Sequence, residues 1–135
     1  REASLKRPNL AVELRFDEDL AHLVYAAADM LLLPSLFEPC GISQMIAMRY
    51  GALPVVRRVG GLVDTVIDYP FNPSLSTGFQ FENFSSRELL QAIRRALAVY
   101  SENQNLWATM VANAMRSDFS WEKAVEKYLE VYEEH

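Results

Sequence analysis

The sequence predicts an α/β fold built on a parallel sheet. Short apolar, β-like runs alternate with segments of helical periodicity through residues 11–81. Residues 29–33, where an apolar run follows Asp29 and is closed by Pro34, have the pattern of a strand covered on both faces. At 135 residues, half of them hydrophobic, the chain is long enough for one compact core and too short for two.

The elements follow in order. A first strand is expected at residues 11–15. Asp17 is placed to cap a helix that carries Leu20, Leu23, Val24 and Ala27 on one face. After the strand at 29–33, residues 41–49 read as a helix with Ile42, Met45, Ile46 and Met48 mostly inward, and Tyr50-Gly51 end it. Residues 53–56 form another buried strand. Gly60-Gly61 break the chain before a short helix at 62–67, and 68–77, with two prolines, Asn72 and serines, reads as an exposed loop. Residues 78–81 alternate like a short strand. This order implies βαβ units with right-handed crossovers.

From Ser85 the pattern becomes helical. Ser85 and Glu88 have the spacing of a capping box, followed by Leu89, Leu90, Ile93, Leu97 and Tyr100 at helical intervals. A second helix is expected over about 104–115. A third follows Ser120, with Trp121, Val125, Tyr128, Leu129 and Tyr132 on one face, read as core or as a contact with another domain. Glu133 and Glu134 read as a solvated helix end. No internal repeat is present.

Composition excludes several classes. The formal charge of −5 runs against phosphate-backbone binding, so no nucleic-acid partner is expected. A single cysteine, Cys40, forbids an intrachain disulfide or a cysteine-only zinc cluster and points to a reducing compartment. No apolar run approaches the ~20 residues of a membrane span. Arg1 reads as a cut end within something larger, without a leader segment.

In open α/β sheets, ligands sit beyond the carboxyl ends of the strands. Three segments are expected there: Phe16-Asp17, residues 34–43 and residues 57–61. The middle one is richest. Glu38 precedes a helix start, Gly41 permits close approach to backbone, and Ser43 adds a hydroxyl. Together they make either a phosphate seat or a turn with an acid favoured by the helix dipole. Cys40 lacks a neighbouring histidine to act as base, so a packing or backbone-contact role is favoured over a nucleophile. His22 and His135 read as solvated. Arg57-Arg58 beside Gly60-Gly61 either hold an anion or form a solvated pair. Phe16 either stacks on a flat ring or staples the helix it precedes.

The motifs Pro34-Ser35-x-Phe37-Glu38-Pro39-Cys40-Gly41, Ser43-Gln44, Arg49-Tyr50-Gly51 and Leu53-Pro54-Val55-Val56-Arg57-Arg58-x-Gly60-Gly61-Leu62-x-Asp64-Thr65-Val66 closely resemble bacterial glycogen synthases and plant starch synthases. Thr77-Gly78-Phe79-x-Phe81 and Asp118-Phe119-Ser120-Trp121 continue the likeness, which covers the chain from about residue 8. The resemblance implies a partial Rossmann-like domain: a fragment of the C-terminal, donor-binding domain of a GT-B, family 5 glycosyltransferase. Residues 1–84 would be its βαβ part and 85–135 its helical end. It also implies transfer of glucose from ADP-glucose, or UDP-glucose in some members, to the non-reducing end of an α-1,4-glucan with retention. No metal or cofactor is implied.

Carried over by position, Glu38 resembles the essential carboxylate that holds the donor glucose hydroxyls. Cys40 and Gly41 match positions lining the glucose and distal phosphate, and Ser43 one that contacts the phosphate. Phe16 matches an aromatic that stacks on adenine, and Gly60 and Gly61 match a loop near the donor. Where many related retaining transferases carry a second glutamate, this chain has Ile46, which the narrower branch shares. The diphosphate-neutralising arginine and lysine and the lysine-glycine-glycine loop of the family have no counterpart in the chain, so the isolated chain is expected to be inactive. The glucan acceptor would bind through another domain, and an open sheet edge invites homodimers. The resemblance places the protein in bacterial cytoplasm or plastid stroma, with no membrane partner. Two other readings stay open: a stand-alone nucleotide- or partner-binding module, and a sucrose- or nucleotide-sugar-using relative, which the Pro-Cys-Gly and Arg-Arg-x-Gly-Gly runs disfavour.

Overall fold

The computed structural model describes residues 7–133; Arg1, Glu134 and His135 lie outside them. Its sheet has three strands, β1 (Met30–Leu33), β2 (Leu53–Arg57) and β3 (Phe79–Phe81), in the order β1-β2-β3. Both pairings are parallel, with Met30 opposite Leu53 and Val55 opposite Phe79. All three strands therefore deliver their carboxyl ends to one edge. Helices flank the sheet, as the sequence predicts for an α/β protein: α1 (Glu18–Ala27), α2 (Ser43–Arg49), α3 (Leu62–Thr65), α4 (Ser86–Glu102), α5 (Gln104–Arg116) and α6 (Trp121–Glu133).

Central β2 is buried along nearly its whole length: Leu53, Pro54, Val55 and Val56 are all inside. Phe79 of β3 is fully buried and stacks on Trp107 of α5 at 6.5 Å between ring centroids, while Tyr100 of α4 meets the same indole edge-on at 5.0 Å. Each fully buried Leu, Val or Phe contributes about 1.5–3 kcal/mol. Small residues let α4 lie close: Ala92 and Ala96 face inward with Val99, and the larger Leu90 and Leu97 of the same periodic set stay half exposed.

Local signals explain the helix ends. Asp17 caps α1, its Oδ1 accepting from the Leu20 N–H at 3.0 Å. Helix α2 ends in a Schellman turn: Ala52 N donates to Ala47 O at 2.9 Å and Gly51 N to Met48 O at 3.1 Å. Gly51 makes the turn possible at φ +87° and feeds the chain straight into β2.

Several expectations need correction. Residues 11–15 form no strand and are exposed throughout. A strand needs a neighbour, and among the described residues β1 has no partner on its outer side. Helix α1 buries none of its residues; Leu23 and Val24 of its apolar face are exposed. The α6 stripe is likewise no core: Trp121, Tyr128 and Tyr132 are 78%, 61% and 79% exposed. The loop after α3 is exposed only in part, since Ser76 and Thr77 are buried and the Thr77 hydroxyl accepts from the Ile67 N–H at 2.9 Å. His22 is exposed but not free, its Nδ1 lying 3.0 Å from the Tyr50 hydroxyl. No helix of the described residues is long and apolar enough to cross a membrane.

Burial pushes the Asp68 carboxyl above its usual range, although the Gln80 N–H and Arg95 both bond it. The Ser85-Glu88 pair is not a capping box. The Ser85 side chain makes no cap bond. Glu88 turns instead to the residues before the helix, accepting from Asn83 Nδ2, the Asn83 N–H and the Glu82 N–H. These donors hold its pKa below the ordinary 4.5. Because the folded value is depressed, the stabilisation is present above pH 4.5 and is lost as pH falls through the folded value. Urea titrations should show Glu88→Ala with a lower midpoint than the parent at pH 7, and a gap that closes as pH falls from 4.5 through the depressed folded value. A gap independent of pH would contradict this account of Glu88.

Candidate functional site

Parallel strands place three loops along one sheet edge: residues 34–42 after β1, 58–61 after β2 and 82–85 after β3. The first two are in backbone contact. Gly61 N donates to Pro39 O at 3.2 Å. A Cβ built on Gly60 would lie 1.7 Å from the Glu38 carbonyl oxygen, and one on Gly61 would lie 2.3 Å from that of Cys40. Gly60 also stands at φ +50°, where side-chain-bearing residues are strained. The glycine pair is thus dictated by the protein itself, because one loop presses its bare backbone on the other.

Three side chains fix this contact. Gln44, fully buried in the first turn of α2, donates from Nε2 to Gly41 O at 2.9 Å and to Thr65 Oγ1 at 3.1 Å. Thr65 in turn donates to Gly61 O at 2.8 Å. At the other end of the loop, Arg57 donates from Nη1 to Ser35 O at 3.1 Å and Leu36 O at 2.7 Å, and from Nε to Glu82 O at 3.3 Å. Its guanidinium lies over the Phe84 ring, 5.9 Å from the centroid. Arg57 is therefore neither a free anion seat nor a solvated charge; it ties all three loops together. Arg58 is exposed.

Within this frame Glu38 is partly buried and accepts from the Ser35 hydroxyl at 3.3 Å. Among the described residues it forms no ion pair, so most of its acceptor capacity is uncommitted. Cys40 is an exposed free thiol. Gly41 stands at φ +73° one residue before the Ile42 N-cap of α2, which offers no side-chain cap bond, and Ser43 opens the helix. Among the described residues the N–H groups of that first turn carry no side-chain partner. Glu38, Cys40, Gly41, Ser43, Gly60 and Gly61 thus gather at one corner of the sheet edge.

Phe16 stands apart. It precedes α1, is 95% exposed and makes no ring contact among the described residues. It does not staple α1. A cleft of about 620 Å³ opens past the far end of α2, between Met45, Arg49 and residues 116–120, and none of the predicted site residues lines it.

Comparison with known proteins places this corner in a family. The model of the group 1 glycosyl transferases matches residues 8–114. The chain belongs to the glycosyl transferases of group 1. It is 49% identical over 125 residues to the glycogen synthase of Clostridium botulinum (strain Alaska E43 / Type E3), covering 93% of this chain and 26% of that protein. The glycogen synthase of Clostridium perfringens (strain 13 / Type A) is 46% identical over the same shares. The chain thus spans about a quarter of the length of these relatives. In three dimensions it is similar to the catalytic domain of starch synthase IV from Arabidopsis thaliana bound to ADP and acarbose, with a TM-score of 0.89 and 36% identity. That likeness covers 98% of this chain and 28% of that one. A sucrose-phosphate synthase from Thermosynechococcus elongatus is less similar, at TM-score 0.67 and 25% identity over 98% of this chain and 32% of that one. The GT-B fold and the likeness to glycogen and starch synthases expected from the motifs are both found.

Sequence reasoning missed the roles of Gln44, Thr65 and Arg57, and missed the 82–85 loop altogether. The signal was present for Arg57, whose position at a strand end puts a long cation beside two loops. Nothing local marks Gln44 as a partner of Thr65, because the two meet only once α2 and α3 are packed.

The two kinds of glycine separate in a stability test. Gly51→Ala should cost about 1 kcal/mol, from the left-handed backbone alone. Gly60→Ala carries that cost and a further ~1–3 kcal/mol, since the 38–39 backbone must shift. Equal costs in urea denaturation would contradict the loop contact.

Proposed function

We propose that this chain is the donor-binding portion of a longer synthase that transfers glucose from ADP-glucose to the non-reducing end of an α-1,4-glucan with retention. The observation that carries the reading is the match of 98% of the chain, at TM-score 0.89, to a starch synthase catalytic domain bound to ADP and acarbose. The narrower likeness to glycogen synthases favours this acceptor over sucrose-type chemistry.

In this reading Glu38 is the catalytic carboxylate and accepts from the hydroxyls of the donor glucose. The N–H groups at Cys40 and Gly41 and the Ser43 hydroxyl face the distal phosphate, and Phe16 offers its exposed ring to the nucleobase. Phenylalanine keeps the stacking face and leaves adenine and uracil to be distinguished elsewhere. When the nucleoside diphosphate leaves, negative charge grows on its phosphates and positive charge on the sugar. Pre-aimed N–H groups stabilise the first and a carboxylate the second. The basic residues that neutralise the diphosphate belong to the rest of the longer protein, and so does the acceptor site. In that protein the open side of β1 continues the sheet; in the isolated chain it is an edge for self-association. Neither a metal nor a cofactor takes part.

Elongation of glucan from ADP-glucose by the protein that carries this chain tests the reading. Glu38→Gln should lower kcat by ~10²–10³ with the unfolding midpoint unchanged, EDTA should leave the rate intact, and the isolated chain should show no elongation. A Glu38→Gln protein within a few-fold of the parent rate, or an active isolated chain, would overturn it.

A further inference from the structure

The Gln44–Thr65 pair bonds the backbone of the proposed donor corner. Gln44 is fully buried, yet it is polar, and its surroundings fix which way the amide points. Nε2 is ringed by oxygens: Gly41 O at 2.9 Å, Thr65 Oγ1 at 3.1 Å and Cys40 O at 3.5 Å. Thr65 Oγ1 gives its proton to Gly61 O at 2.8 Å, so it can only accept from Gln44. Gln44 Oε1 is left buried with no donor among the described residues. A hydrophobic side chain of similar size would fill this place but would leave Gly41 O without its Gln44 donor, so apolar packing alone gives no reason for the amide.

The directed chain of bonds does give one. From Gln44 Nε2 one arm reaches Gly41 O and the other Thr65 Oγ1, Thr65 donates to Gly61 O, and Gly61 N closes the ring on Pro39 O at 3.2 Å. The ring joins the carbonyls on either side of the point where the two loops touch. We infer that Gln44 and Thr65 are positioning residues: they hold the 38–41 backbone, and with it Glu38 and the N–H groups of the α2 start, at the spacing that the transferring glucose and its phosphate require. This rests on the donor reading above. Loosening such a frame by an ångström without touching the reacting groups costs on the order of tenfold to a hundredfold in rate.

Thr65→Val keeps the shape and removes the hydroxyl; Thr65→Ser keeps the hydroxyl; Gln44→Met keeps the length and removes the amide. In the protein that carries this chain, Thr65→Val and Gln44→Met should each lower kcat for glucan elongation by at least tenfold with the KM for glucan unchanged. Thr65→Ser should stay close to the parent rate, and the double variant Gln44→Met/Thr65→Val should be no slower than the worse single one, because both break one ring. In the chain itself, the Gly61 amide should exchange with solvent faster in Thr65→Val than in Thr65→Ser, while the β2 amides keep their protection. Parent-like rates in both Thr65→Val and Gln44→Met would overturn the inference, as would equal impairment of the valine and serine variants. A parent protein that elongates no glucan sinks the donor reading instead; the exchange of Gly61 then decides alone, and unchanged protection in Thr65→Val overturns the pair as a holder of the loop.

Discussion

No side chain fits between the loop that follows β2 and the loop that follows β1. A Cβ on Gly60 would fall 1.7 Å from Glu38 O, and one on Gly61 2.3 Å from Cys40 O. Contact of backbone with backbone is the constraint from which the rest of the corner follows. It sets the height of the 38–41 segment above the sheet, and with it the place of the Glu38 carboxylate. Hydrogen bonds then lock what sterics permit: Arg57 at the start of the loop, Gln44 and Thr65 at its end.

The frame beneath is stiff because its central strand is dry. β2 has neighbours on both sides and is buried on both faces, and the Schellman turn at Gly51 leads into it from α2 without slack. Loop positions set by a close-packed core do not drift, since interiors at this density offer few alternative packings. Away from the core the chain changes character. α1 has no buried residue, and α6 shows aromatic side chains to solvent. The chain spans about a quarter of the length of its glycogen synthase relatives.

Much of the fold was legible because its signals are local or strongly periodic. Asp17 caps the helix it precedes, Gly51 ends α2, and the apolar residues 30–33 and 53–56 lie in strands. Errors came where a local pattern lacked its partner. Residues 11–15 alternate as a strand does but have no strand beside them, and Ser85 has the spacing of a cap while Glu88 spends its oxygens on residues 82 and 83. The α1 and α6 stripes show which faces are apolar but not what lies against them. At the site, the residue types of 34–43 and the glycine pair were visible as motifs. The reason for the glycines, and the bond of Gln44 to Thr65, exist only after β1 and β2 pair, so no sequence pattern within either loop contains them.

The central claim, that one corner made of residues 38–43 and 60–61 receives the phosphate side of a nucleotide sugar, is tested most directly by titrating ADP into the chain and following its amide resonances. Shifts concentrated at Gly41, Ser43, Gly60 and Gly61, stronger with ADP than with adenosine, are expected. Shifts gathered instead at the cleft formed by Arg49 and residues 116–120, or equal responses to ADP and adenosine, would contradict it.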